Sequence, residues 1–308
     1  MSSSRLPAFA TVVATLVFAA VLPAGAQNRR ASQDYASRVD TTYAFDRRGT
    51  VSLTLSAGEI IVTGWNRPEV RVRARSDRNE VRMEATATRL TLDLARPRSG
   101  DSHYEVTVPT GVRVVARATN GEISVTGTRG GVEVSTQNGD ITVDDVGEML
   151  EATSLSGDIG VRGVTGRVDI RTTNGAVTLA DVKGDVEVTS VSGDISLRDV
   201  VARYVSGKST SGDVSYDGVV DSTGRYELGS HSGSVYLVIP PNTGAQITVA
   251  TYSGSIDTDF PITLRPGEHA VGAARRMTFD VGKGDARISA ESFSGDITIR
   301  SKGKRPQE

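Results

Sequence analysis

The chain has 308 residues, of which 37% are hydrophobic and only 5% aromatic, so it can bury a sizeable core that must be mainly aliphatic. It contains no cysteine, which excludes disulfides, thiol catalysis and thiolate metal sites. The formal net charge of −2 argues against a nucleic-acid-binding protein, because such proteins usually carry a clear basic excess.

Residues 1–26 have the pattern of a cleaved secretory signal peptide. Arg5 supplies the positive charge, residues 9–22 form an apolar run, and the Ala-Gly-Ala at 24–26 is a small-residue cleavage site. The apolar run is shorter than the roughly 20 residues that span a bilayer, so cleavage is favoured over an uncleaved anchor. No transmembrane segment is expected after cleavage. We therefore expect an exported protein that is periplasmic, outer-membrane-associated or extracellular.

The stretch 27–39 is a polar N-terminal segment, and we expect residues 27–38 to be frayed. From 40 to 105, alternating apolar and polar residues predict strands, for example at 51–55 and 70–75. The spacing of turns is irregular there, so this region is interpreted as the first coils of a repeat domain and the cap of its N-terminal end. Its arginines are interleaved with acidic residues, which favours a solvated strand face over an anion site.

A turn motif of Asn or Ser followed by Gly, and most often by Asp, Glu or Ser, recurs along the rest of the chain. Successive glycines from Gly121 onward are separated by 18, 18, 18, 18, 19, 21, 21 and 41 residues. Glycine adopts positive φ at little steric cost, and Asn and Ser side chains bond local backbone, so the motif predicts tight corners. The predicted structural turn residues are Asn120, Gly121, Asn138, Gly139, Ser156, Gly157, Asn174, Gly175, Ser192, Gly193, Ser211, Gly212, Ser232, Gly233, Ser253, Gly254, Ser294 and Gly295.

Apolar residues keep the same position in successive repeats between residues 106 and 218. Such columns predict stacked coils of about 18 residues whose parallel strands are about 4.8 Å apart. The handedness of parallel crossovers favours a right-handed β-helix-like path, and a sandwich of antiparallel hairpins is the alternative. The columns are Val114, Val132, Leu150, Val168, Val186 and Val205; Ile123, Ile141, Ile159, Val177, Ile195 and Val214; Val125, Val143, Val161, Leu179, Leu197 and Tyr216; and, on a third short side, Val146, Val164, Val182, Val200 and Val219.

The period loosens between 219 and 300, where prolines at 240–241 and 261–266 predict loops and longer coils. The tail 301–308 is polar and expected to fray. Residues 40–300 are therefore predicted to form a single all-β domain, a parallel β-solenoid.

The Ser-Gly-Asp turn followed by an alternating strand, after a signal peptide, resembles a bacterial family of putative adhesins of unknown function with β-strand repeats. The segments 51–74 and 286–300 are also similar to that family. The resemblance covers about residues 40–300. It implies a β-helix-like fold and an envelope or surface location, and it carries over no catalytic residues.

Acidic residues follow the turn glycines and form one column, which could bind Ca²⁺ if the carboxylates met. Ala176, Ser234 and Ser255 interrupt the column, so solvated turn acids are the favoured interpretation. The histidines lack ligand spacing, so no metal site is expected. The column consists of Glu122, Asp140, Asp158, Asp194, Asp213 and Asp296, and the histidines are His103, His231 and His269.

Asp144, Asp145, Asp181 and Asp199 occupy comparable corners and could form a shallow acidic strip like that of polysaccharide-active β-helix enzymes. No partner base accompanies them, and Trp65 is expected to pack under the N-terminal cap rather than against a sugar. We therefore expect no catalytic, cofactor-binding or metal-ligating residues. The predicted function is a non-catalytic exported envelope or surface protein that binds an unknown protein or glycan. A polysaccharide lyase or hydrolase and a self-assembling scaffold remain the alternatives.

Overall fold

The computed structural model describes residues 37–95, 100–261 and 275–303, all of which lie in one compact unit, 34–308. The predicted signal peptide lies outside these residues. The described residues form strands and no helix, and therefore contain no helix that could cross a membrane. The strands are β1 (Ser37–Ala44), β2 (Thr50–Trp65), β3 (Glu69–Ser76), β4 (Val81–Ala85), β5 (Arg89–Leu94), β6 (Ser102–Pro109), β7 (Arg113–Thr126), β8 (Val132–Asn138), β9 (Ile141–Ser156), β10 (Ile159–Asn174), β11 (Val177–Ala180), β12 (Val186–Ser192), β13 (Ile195–Ser211), β14 (Val214–Ser232), β15 (Val235–Ile239), β16 (Ala245–Ser253), β17 (Ile256–Thr258), β18 (Arg275–Val281), β19 (Ala286–Ser294) and β20 (Ile297–Ser301).

The predicted parallel solenoid is confirmed, with a register of 18 residues through its regular part. Each coil contributes one strand segment that runs into the Gly turn and one that runs out of it, and we call these the first and second layers. Val132 of the first layer pairs with Val114 and Leu150, and Ile141 of the second layer pairs with Ile123 and Ile159. The inward side chains of both layers belong to one hydrophobic cluster. Strict alternation therefore produces a core between the layers.

The predicted third-side column is correct from Val146 to Val200, all of which are fully buried, but it is wrong at Val219. Val219 is 52% exposed and pairs with Val201, because the register shifts after Arg198. Gly218 takes the aligned position instead. A Cβ on Gly218 would lie 2.6 Å from the hydroxyl of Tyr216, so the larger tyrosine ring fills the corner that a valine fills in the preceding coils.

The order of coils in the stack differs from their order in the sequence at both ends. Near the C-terminus, β19 lies between β14 and β16, and β20 lies between β15 and β17. The coil 286–301 therefore sits between the coils 225–239 and 245–258. Near the N-terminus, β2 stacks on β7, while β5 and β6 form a coil on the far side of β2.

Antiparallel strands cover the ends of the parallel stack. At the N-terminal end β3 pairs with β6, β1 pairs with β3, and β4 pairs with β5. At the other end β18 pairs with β16. β1 begins at Ser37, so the last two residues of the stretch expected to fray are in a strand, and Val39 packs against the core. These strands protect parallel edges that would otherwise invite pairing with other chains.

Candidate functional site

The structure places the predicted turn glycines one above another where the first layer passes into the second. At Gly193, φ is 148°, and an added Cβ would lie 2.0 Å from the carbonyl oxygen of Gly175. The amide of Asn138 donates to the side-chain oxygen of Asn120 at 2.9 Å, which is one rung of a side-chain ladder. These corners hold the coils at the spacing of parallel strands.

Five of the buried hydroxyls two positions before the turn Asn or Ser add a second link between coils, whereas those of Ser154, Thr172 and Ser190 have no hydrogen-bond partner among the described residues. The five donate to the carbonyl oxygen of the turn glycine in the neighbouring coil, at 2.8 to 3.3 Å. The donors are Thr136, Ser209, Ser230, Thr251 and Ser292.

The acidic column after the glycines binds protein backbone. Asp140, Asp158, Asp194, Asp213 and Asp296 each accept a backbone N–H from the same position of the neighbouring coil, at 2.7 to 2.8 Å. The backbone N–H of Ser255, and then its hydroxyl, lower the pKa of Asp296 from its ordinary value. The described residues contain no group of three His, Asp or Glu side chains placed to hold a metal ion.

The corner carboxylates proposed as an acidic strip have local roles. Asp145, Asp181 and Asp199 have φ between 50° and 56°, a left-handed conformation that Asp tolerates better than most residues. Asp145 pairs with Arg129 at 3.0 Å and Asp199 with Lys302 at 3.4 Å. Asp144 lies one residue before the corner residue Asp145 and is in register with Arg162 of the next coil. The four do not form one cluster of free carboxylates.

Trp65 and His103 lie at separate points of the fold. The indole N–H of Trp65 donates to the carbonyl oxygen of Glu69 at 2.7 Å, and the guanidinium of Arg67 lies 5.0 Å from its ring centre. Trp65 therefore holds the turn between β2 and β3. His103 contacts Glu59 at 2.9 Å. His269 lies outside the described residues.

His231 belongs to an exposed stack of three aromatic rings that was not predicted from the sequence. Its ring stacks on Phe293 at 4.7 Å between centroids, and Phe293 stacks on Tyr252 at 4.9 Å, with planes 12° and 2° from parallel. Phe293 is 50% exposed and Tyr252 is 53% exposed. We call these three residues the aromatic ladder. Each occupies the position directly before a turn Ser, which is the signal that could have found them.

A shallow depression of about 430 Å³ lies on the outer face of the same strands. Its lining includes the small residues Gly229, Thr248 and Ser289. We call it the basic groove, and its charged lining residues are Lys208, Arg225, Arg276, Arg287, Glu227 and Glu291. The aromatic ladder lies two residues further along each of its three strands. The outer face of β13, β14, β19, β16 and β18 that carries both features is called the ladder face.

The charges of the basic groove are only partly paired. Glu227 accepts from Arg225 at 2.6 Å and from Lys208 at 3.2 Å, and the bond from Arg225 is the main reason that its pKa is lowered. Among the described residues, no carboxylate lies within 4.0 Å of the guanidinium of Arg276 or Arg287. The groove therefore carries unpaired positive charge.

Several solved structures resemble this chain, among them the following three. A putative adhesin from Bacteroides fragilis is 11% identical, with 85% of this chain and 97% of that chain covered and a TM-score of 0.40. A putative cell adhesion protein from Clostridium sporogenes is 11% identical, with 86% and 100% covered and a TM-score of 0.21. A putative lipid binding protein from Parabacteroides distasonis is 11% identical, with 85% and 96% covered and a TM-score of 0.39.

No curated protein matches the sequence. The Toastrack DUF4097 family matches residues 59–300, which is most of the chain and nearly all of the solenoid. The resemblance seen in the turn motif is thereby confirmed. The chain belongs to the Toastrack DUF4097 family.

Proposed function

We propose that this protein is an exported, non-catalytic binding protein of the cell envelope, and that its partner binds the ladder face. The observation that carries this proposal is the aromatic ladder, in which Phe293 and Tyr252 are each about half exposed. Large exposed apolar groups in a contiguous row mark interaction sites more often than single exposed residues do. The signal-peptide pattern of residues 1–26 supports export.

The absence of catalysis in this proposal is supported by the bonding of the carboxylates. A glycoside hydrolase needs two carboxyl groups facing one substrate. Asp158 and Asp213 accept backbone N–H groups, and Asp145 and Asp199 pair with cations. In the basic groove, Glu227 is bound by Arg225 and Lys208, and Glu291 accepts from the hydroxyl of Ser289. End-to-end assembly is disfavoured because antiparallel strands lie beyond β6 and β16.

Binding of the mature chain to a glycan array and to purified envelope polysaccharides tests the proposal. We expect the Tyr252→Ser/Phe293→Ser variant to bind at least about tenfold more weakly, equivalent to about 1.4 kcal/mol. Leu155→Ser is the matched control, since Leu155 occupies the same column outside the groove and is also 50% exposed. Equal affinity of the double variant and the wild type would overturn the assignment of the ladder face. Failure of the wild type to bind any glycan or envelope component would overturn the binding role.

A further inference from the structure

We propose that the basic groove binds an acidic polysaccharide whose sugars carry carboxylate groups, an inference that rests on the proposed binding role. The groove has four basic and two acidic lining residues, although the whole chain has a formal net charge of −2. A local excess of positive charge on a protein with a negative net charge attracts anionic ligands to that part of the surface.

The arrangement of the arginines favours the binding of an anion, because Glu227 pairs with Arg225 and not with Arg287. Arg225 and Arg287 are directly opposite each other in adjacent strands. Like charges in this relation destabilise a sheet, and Arg287 has no carboxylate partner among the described residues. Exceptions to the rule against opposed like charges are expected at functional sites. A planar guanidinium also matches a carboxylate through two parallel hydrogen bonds, which a lysine does not offer.

The shape of the groove suits an extended chain. One row of outward positions runs from Lys208 through Gly229, Glu291 and Ala250 to Arg276 on consecutive strands. Four strand spacings separate the two ends, or about 19 Å. Gly229 and Ala250 are the small residues of the row, Glu291 lies between them, and the cations stand at both ends. An oligosaccharide of several sugars can therefore lie across the strands with its charges near Lys208 and Arg276.

The aromatic ladder adds ring edges that can contact the ligand on one side of the groove. Because the rings of His231, Phe293 and Tyr252 stack face to face, they present their edges to solvent. Ring edges carry partial positive charge, so they attract ligand oxygens as well as covering apolar C–H groups. The ladder lies about 7 Å from the row of Gly229 and Glu291, which is two residues along a strand.

The two glutamates of the groove favour a sugar over a nucleic acid. Glu227 and Glu291 can accept hydrogen bonds from sugar hydroxyls, whereas the phosphodiester backbone of DNA offers them no donor. A uronate chain carries hydroxyl donors between its carboxylates. Its pattern of donors and anions therefore complements the mixed lining of the groove.

Isothermal titration of the mature chain with hexagalacturonate, maltohexaose and a single-stranded oligothymidylate tests this inference. We expect hexagalacturonate to bind at least about tenfold more tightly than maltohexaose, with an affinity that falls as salt is raised. We expect Arg276→Gln/Arg287→Gln to abolish that preference. Arg162→Gln/Arg198→Gln is the control, because it removes two exposed arginines from the second layer and leaves the groove intact.

Each outcome is decisive for one claim. Equal binding of hexagalacturonate and maltohexaose would overturn the acidic ligand but leave the binding role standing. Oligothymidylate binding as tight as that of hexagalacturonate would show unselective attraction of anions and would also overturn the acidic ligand. An equal loss of affinity for hexagalacturonate in the two double variants would do the same. If none of the probes binds the wild type, the acidic ligand is rejected, and the glycan array then decides the binding role separately.

Discussion

Replacement of Gly193 by alanine is expected to destabilise the solenoid by about 3 kcal/mol or more. The φ of Gly193 is 148°, which residues with a Cβ rarely adopt, and the new Cβ would lie 2.0 Å from the carbonyl oxygen of Gly175. The obstacle is backbone in the neighbouring coil, so it cannot move aside without opening the stack. Urea unfolding followed by circular dichroism measures the effect as a lower midpoint concentration.

Gly160→Ala is the matched control for this substitution. Gly160 also lies in a strand of the regular coils, but a Cβ there would have no heavy atom within 4 Å. Alanine should therefore change stability by no more than about 0.5 kcal/mol, or raise it slightly by restricting the unfolded chain. Equal midpoints for the two variants would contradict the role assigned to the corner glycines.

Replacement of Ile288 by aspartate is expected to open the C-terminal coils while the regular coils remain folded. Ile288 is 2% exposed and lies in β19 between Tyr226 and Ile247. A buried carboxylate without a partner costs several kcal/mol. In a stack where each coil contacts only its neighbours, the loss of the interposed coil also releases β16, β17 and β18. Hydrogen exchange with mass spectrometry should show fast exchange over 245–258 and retained protection over 132–198.

Ser289→Asn is the control, because it places a polar side chain of the same size as aspartate one residue away on the outer face, without adding a charge opposite Glu227. We expect wild-type protection in that variant. Retained protection of 245–258 in Ile288→Asp would mean that this coil packs on β14 by itself, and it would contradict the observed order of coils.

Much of the regular fold could be predicted because its determinants are local and periodic. The Ser-Gly-Asp turn and the alternation of Val132, Val134, Ile141 and Val143 specify where each coil turns and which face is buried. The failure at Val219 has a local cause. Tyr216 occupies a column that holds Val or Leu in the preceding coils, and its ring displaces the next corner residue.

The order of the last coils could not be predicted from the same signals. The turns at Ser232, Ser253 and Ser294 are nearly identical, so nothing in them indicates which coil stacks on which. Counting along the sequence places the turn of Ser253 after that of Ser232, whereas the coil of Ser294 separates the two in the structure. Parallel strands accept either order, and long-range packing decides between them.

The aromatic ladder and the basic groove could not be predicted from the sequence, because both depend on the order of the last coils. His231, Tyr252 and Phe293 meet only because the coil 286–301 lies between the other two. Arg225 and Arg287 are likewise far apart in sequence and adjacent in the sheet. The backbone bonds of Asp158 and Asp213 could not be predicted from the sequence, because they depend on the register of the coils.

The most direct test of the functional account is the footprint of hexagalacturonate on the protein, measured by hydrogen exchange or by amide chemical shifts. We expect protection or shift changes confined to the ladder face, centred on Gly229, Glu291 and Arg276 and extending to Phe293. The second-layer outer face around Thr142 and Thr178 should remain unchanged. A footprint on that second layer, or on the antiparallel strands β1 and β3, would contradict the account.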